Sequence, residues 1–197
     1  TLANLEANEN VPAKELARAE NNLGELYLAA GQPDKAAPLL EKALEARKQV
    51  LKADDPEVAI SLSNAAAVHA VNGDHAEAKP LLEEALKVFE ENYGKESPTY
   101  AQGLNNLAEV HRALGEDAEA KPLLERALAI KEKALGPEDP SLATTLNALA
   151  AVHESEGDLE KAEPLLERAA ELTEKAAAPN HPDTAASPDK LTSLYQA

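Results

Sequence analysis

The sequence has no cysteine, methionine or tryptophan in 197 residues, and aromatics make up only 3% of it. Without cysteine there is no disulfide framework, no thiol nucleophile and no thiolate zinc site. Positive charge is also scarce: 19 Lys and Arg stand against 36 Asp and Glu, a formal net charge of -17. The acids are not gathered in a tail; Glu83, Glu84, Glu90 and Glu91 are scattered much as Glu116, Asp117, Glu119 and Glu125 are. A dispersed acidic field disfavours DNA and anionic membranes, because phosphate recognition depends on clustered Lys and Arg. No run approaches the roughly 18 apolar residues of a membrane span. Thr1, Leu2, Ala3 and Asn4 carry neither an initiator Met nor a basic-then-apolar signal segment, as expected of a chain processed or excised from something longer. A soluble protein is expected, in the cytoplasm rather than the periplasm or outside the cell.

What is present is aliphatic. Hydrophobic residues reach 44%, mostly Ala and Leu, and they recur on a fixed period. Gly31, Gly73, Gly115 and Gly157 are each 42 residues apart. So are Pro38, Pro80, Pro122 and Pro164, and so are Pro56, Pro98, Pro140 and Pro182. Three independent markers on one period signal a solenoid of helical hairpins. Between Pro56 and Gly73, the residues Val58, Leu62, Ala65, Ala66 and His69 fall at helical spacing and predict a first helix, A. Pro56 and its counterparts sit at or just before a helix start, where a missing N–H is harmless. Gly73 followed by Asp74 reads as a C-cap and then the N-cap of the next helix. Ala78, Leu81, Leu82, Ala85, Leu86 and Phe89 form the stripe of that second helix, B. Pro80 and its equivalents predict a late start or a mild kink there, since an interior proline loses a hydrogen bond.

These residues carry a family resemblance. Leu23-Gly24-x-x-Tyr27 followed by Ala36, Leu40 and Ala43 resembles the tetratricopeptide signature. It recurs as Leu107-Ala108-x-x-His111 with Ala120, Leu124 and Ala127, and as Leu149-Ala150-x-x-His153 with Ala162, Leu166 and Ala169. A weaker copy is Ala65-Ala66-x-x-His69 with Ala78, Leu82 and Ala85. The usual Trp is replaced by Glu20, Leu62, Leu104 and Leu146. The long period, Leu104 to Ala108, Pro122 to Ile130 and Leu135-Gly-x-x-Asp-Pro140 resemble the kinesin-light-chain subtype. The resemblance implies an all-α, right-handed superhelical solenoid of antiparallel hairpins, with four full repeats and a C-terminal capping helix. Residues 1–13 are expected to be a tail or the remnant of a preceding helix, 14–181 the four hairpins, and 182–197 a partial fifth repeat. In that last unit Leu191, Leu194 and Tyr195 align with Leu23, Leu26 and Tyr27, and a cap covers the apolar flank of the last hairpin.

Catalysis finds little support. His69, His111 and His153 recur on one face, yet neighbouring helices lie about 8–10 Å apart, while zinc needs its nitrogens within about 2.1 Å of one ion. They read as core residues at the Tyr27 position, and no metal or other cofactor is expected. His75 and His181 fall in predicted loops. Carboxylate pairs such as Glu83-Glu84 and Asp54-Asp55 belong to an acidic surface, and no phosphate loop or nucleophile elbow is present.

The inner face of the A helices is the candidate site. Positions ten, six and three residues before each repeat glycine read Asn21, Glu25, Leu28; Ser63, Ala67, Ala70; Asn105, Glu109, Arg112; and Asn147, Ala151, Glu154. Asn22, Asn64 and Asn106 lean the same way. An Asn amide offers a donor and an acceptor, so a ladder of them can hold an extended peptide backbone, as the resemblance also implies for a concave groove. The same amides could instead bond across to the next repeat, and both readings stand on the sequence. The groove lacks the basic pattern that grips a C-terminal carboxylate in chaperone-binding relatives of this family. Glu25, Glu109 and Glu154 against Arg18 and Arg112 favour a basic or mixed-charge protein or peptide. The expected function is a non-catalytic protein-interaction module. The alternatives are a scaffold that self-associates and an accessory domain of a larger signalling or enzymatic protein.

Overall fold

The computed structural model describes residues 12–177. Among them are eight helices and no strand: α1 (Ala13–Ala29), α2 (Pro33–Val50), α3 (Pro56–Asn72), α4 (His75–Tyr93), α5 (Pro98–Ala113), α6 (Asp117–Leu135), α7 (Leu142–Ser155) and α8 (Leu159–Ala177). They pair as four hairpins, α1 with α2 through α7 with α8, and each hairpin packs on the next. Every odd-numbered helix also touches the next odd-numbered one, whereas neighbouring even-numbered helices make no comparable contact. The A helices α1, α3, α5 and α7 therefore form the shorter, inner side of the stack. Of the expected N-terminal segment 1–13, residues 1–11 lie outside the described residues and Ala13 already opens α1; the expected cap 182–197, with Leu191, Leu194 and Tyr195, lies wholly outside them.

Local sequence explains the boundaries. Pro56 and Pro98 are the first residues of α3 and α5, where no intrahelical N–H partner is missed. Asp55 and Ser97 cap them, accepting from the backbone N–H of Glu57 at 2.8 Å and of Tyr100 at 3.2 Å. Pro140 instead stands two residues ahead of α7. Gly73 closes α3 at φ 86°, a left-handed conformation that a Cβ penalises. The chain then turns back on one bond, Asp74 N–H to the His69 carbonyl at 2.8 Å, and the same bond recurs from Gln32 to Tyr27, Glu116 to His111 and Asp158 to His153.

The B helices do not start late. Pro38, Pro80, Pro122 and Pro164 are each the sixth residue of their helix, which runs on through them. The carbonyls that lose a partner belong to Asp34, Ala76, Ala118 and Glu160, all on the exposed side. Water can satisfy them there, so the usual cost of an interior proline is reduced. His75, expected in a loop, is the first residue of α4.

The core is a strip shared between repeats. One cluster joins Leu44 of α2, Val58 and Leu62 of α3, and Val88 and Phe89 of α4. The next joins Ala66, Leu82, Leu107 and Val110 across α3, α4 and α5, and a third joins Leu124, Leu149 and Val152. No repeat buries its apolar stripe alone, which is the physical meaning of a solenoid.

Candidate functional site: the inner face of the A helices

Of the two roles open to the asparagines, Asn21 and Asn105 take the one between repeats. Asn21 is 2% exposed; its Oδ1 accepts from Asn64 Nδ2 at 3.0 Å, Ser61 Oγ at 3.3 Å and Arg47 Nη1 at 3.4 Å. Its Nδ2 donates to Glu25 Oε1 at 2.9 Å, and Asn64 donates to the same oxygen at 2.6 Å. Asn105 is 3% exposed and donates to Thr145 Oγ1 at 2.7 Å. Both amides are buried and bonded across a junction, so neither reaches into the groove, and Asn105 Oδ1 is left buried without a partner. Asn147, with no further A helix beside it among the described residues, is exposed.

The asparagines one place further on are more exposed, although Asn64 spends its amide N–H groups across the first junction. Asn22 is exposed, and Asn64 and Asn106 are half-buried; Asn106 accepts from Gln102 Nε2 at 2.9 Å. Ser63 turns its hydroxyl back to the Ala59 carbonyl at 3.0 Å. Glu109 is exposed and accepts from Arg112 Nη1 at 3.3 Å. Leu28 packs against the cluster of Leu40 and Val68, Ala151 is half-buried and Glu154 is exposed.

Five of the expected residues, Ser63, Ala67, Ala70, Asn106 and Glu109, come together at one cavity of about 410 Å³ between α3 and α5. Sequence reasoning missed part of its lining: Val71, Leu82, Val110, Ala113 and His75. His75 has no repeat signal to find it by, because Pro33, Asp117 and Leu159 occupy the equivalent positions. A second hollow of about 310 Å³ lies along α1 by Glu15, Arg18 and Asn22.

Charge reinforces this picture. Several cations are drawn into pairs between repeats: Lys79 to Glu116 at 2.7 Å, Lys121 to Glu156 at 2.6 Å and Arg168 to Glu132 at 2.5 Å, with Lys175 on Glu138 and Arg126 on Glu96. The hydrogen bond from Lys79, then that from His111, holds the Glu116 carboxyl below its ordinary range, and Lys121 does the same to Glu156. The inner face keeps Glu15, Glu25, Glu109 and Glu154 against Arg18 and Arg112. His111 is 7% exposed with Nδ1 2.7 Å from Glu116 Oε2, and His153 is 6% exposed with Nδ1 3.4 Å from Glu156 Oε2. Among the described residues no three His, Asp or Glu side chains are grouped to hold a metal ion, and no helix is long and apolar enough to cross a membrane.

Comparison with known proteins adds a family match. A family model described as Tetratricopeptide repeat matches residues 15–91, 57–133, 99–175 and 141–197. No curated protein matches the chain. Among solved structures, BtubC (BKLC) from P. vanneervenii is similar at a TM-score of 0.76 and 28% identity, over 96% of this chain and 75% of that one. A putative kinesin light chain from Podosopora anserina with nearly identical TPR-like repeats is similar at 0.69 and 27% identity, over 85% and 80%. A Rap protein complexed with Competence and Sporulation Factor shares the fold at 0.75 and 19% identity, over 88% of this chain and 46% of that one.

Proposed function

The chain belongs to the tetratricopeptide repeat family, and from that premise we propose that it holds an extended segment of a partner protein along the inner face of its A helices. Repeats of this family are generally non-catalytic scaffolds for protein–protein interaction. The observation that carries the finer reading is the cavity between α3 and α5, which opens on the inner face where Ser63, Ala67, Asn106 and Glu109 converge. An extended peptide gains affinity from main-chain hydrogen bonds and specificity from side-chain pockets. Asn22, Asn64 and Asn106 supply the polar groups, and the alanines supply the room. With Glu15, Glu25, Glu109 and Glu154 along the face, the preferred segment is basic or of mixed charge, since complementary potentials both steer and select partners. Catalysis has no part in this reading.

A displayed peptide library selected on the purified protein tests it. Binders are expected to lose affinity for Ala67→Arg, which blocks the inner face, and to keep it for Glu84→Arg on the exposed side of α4. Binders indifferent to Ala67→Arg but sensitive to Glu84→Arg sink the proposal. Light scattering on the same preparation separates the self-associating scaffold, which a concentration-independent monomer rules out.

A further inference from the structure

The cavity between α3 and α5 exists because one repeat lacks a side chain that its neighbours have. The position three residues before the repeat glycine is Leu28 in α1, Ala70 in α3 and Arg112 in α5. Leu28 is half-buried against the cluster of Leu40 and Val68, so at the first junction the chain fills this slot itself. At the third junction the equivalent residue is the long Arg112, whose side chain is 25% exposed. At the second junction the slot is left open by Ala70, and Ala66 and Ala67 widen it. Its floor is apolar, built on Leu82 and Val110, and Val71 stands 63% exposed at the rim. An apolar cavity of about 150 Å³ takes a benzene-sized group. One of about 410 Å³ has room for a large side chain and the backbone that bears it.

Its polar groups fit a peptide. His75 lines the cavity, and its Nδ1 is shielded from solvent without a hydrogen-bond partner. Asn106 spends its oxygen on Gln102 and has its Nδ2 left to donate. Glu109 meets Arg112 through Oε2 alone, which leaves Oε1 for a second cation.

We infer that this cavity is an anchor site for one leucine side chain of a partner peptide, flanked by Lys or Arg that meets Glu109. The inference rests on the inner-face reading above and narrows it to one junction and one residue type. The leucine does at the second junction what Leu28 does at the first, and the flanking cation answers the acidic rim.

The probes are three fluorescein-labelled Gly/Ser decapeptides with a central Lys-Leu-Lys, Lys-Ala-Lys or Glu-Leu-Glu. Binding is read by anisotropy, and location by backbone amide NMR shifts. Lys-Leu-Lys is expected to shift Ala67, Ala70, Val71 and Ala113, and to bind at least about tenfold more tightly than either of the others, as burial of a leucine implies. Ala70→Leu puts the side chain of the first repeat into the slot and is expected to abolish that binding, while Ala70→Ser keeps it. Ala67→Leu, at an exposed position, repeats the block without touching the core. No binding by Lys-Leu-Lys at millimolar concentration, or binding unchanged in both leucine variants, overturns the anchor. Shifts confined to α1 or α7 overturn the anchor but leave the inner face as the binding surface. Shifts confined to α4 and α6 overturn both.

Discussion

Asn105 of α5 donates its side-chain amide to Thr145 Oγ1 of α7 at 2.7 Å, sealing the junction between the third and fourth repeats. Its counterparts 84 residues earlier, Asn21 and Ser61, meet across the first junction together with Arg47, whose counterpart Lys131 is 3% exposed at the third. The second junction has Ser63, Phe89 and Gly103 in the same places, and is apolar. The chain thus alternates polar, apolar and polar junctions, and the open cavity lies at the apolar one.

The Asn105–Thr145 bond is expected to show as coupling. Thr145 is fully buried, so Asn105→Ala leaves its hydroxyl unpaired and costs about 1–3 kcal/mol. Thr145→Val strands the amide instead and costs a similar amount. The double variant is expected to be more stable than the sum of the singles predicts, by about 1 kcal/mol. Urea unfolding of the four proteins closes the cycle, and strict additivity would deny the bond any role.

How much of this was legible follows from the geometry of a helix. The period, the glycine C-caps and the starts at Pro56 and Pro98 depend on single residues acting locally, and the sequence displays them openly. The division of labour between Asn105 and Asn106 is not local. Adjacent helical residues differ by about 100° of direction, and which of them points at the next A helix depends on how the hairpins stack. That is why Asn21 and Asn105 read equally as groove or junction residues. The B-helix prolines do not mark a late start for a related reason: proline ends a helix most strictly where an unpaired carbonyl is costly, and exposure of Asp34 and its equivalents reduces that cost.

Two mid-helix glycines separate cleanly. A Cβ at Gly24 would stand 2.5 Å from Leu40 Cγ and 2.6 Å from Cδ2, and Leu40 is fully buried. At Gly103 the nearest atoms are Leu86 Cδ1 at 2.9 Å and Phe89 Cδ2 at 3.3 Å, the first being the end of a flexible side chain. Alanine gains about 1 kcal/mol over glycine in a helix interior, and overpacking costs about 1–3 kcal/mol. Gly24→Ala is therefore expected to lower stability by up to about 2 kcal/mol net, and Gly103→Ala to be close to neutral. Thermal melts that reversed this order would contradict the packing described.

Acid is expected to loosen the junction at Glu116. The hydrogen bond from Lys79, and then that from His111, depresses its carboxyl below the ordinary 4.5. A group with a lowered folded-state pKa contributes stability that is present above its unfolded value and lost as pH falls through its folded one. Glu116→Gln is thus expected to melt below the wild type near neutral pH, with the gap closing below about pH 4. Added salt narrows the gap at neutral pH, because the pair is partly exposed to water. A gap independent of pH would mean that the carboxylate charge plays no part.

The alternation of junctions makes its strongest prediction at Arg47. Burial pulls its pKa below the ordinary arginine value, against the opposing influence of Glu57. Its Nη1 donates to Ser61 Oγ at 2.7 Å and to the Glu57 carbonyl at 2.9 Å. Removing one member of such a set strands the rest, so Arg47→Phe alone is expected to cost about 3–5 kcal/mol. The second junction already holds Phe89 opposite Gly103, with Ser63 beside them. Arg47→Phe combined with Ser61→Gly and Asn21→Ser copies that arrangement, removing the polar partners and making room for the ring together. The triple variant is expected to recover most of the loss, since replacing a buried polar set by matched apolar packing is often neutral. If the triple variant unfolds at the same denaturant concentration as Arg47→Phe alone, the three positions do not act as a unit.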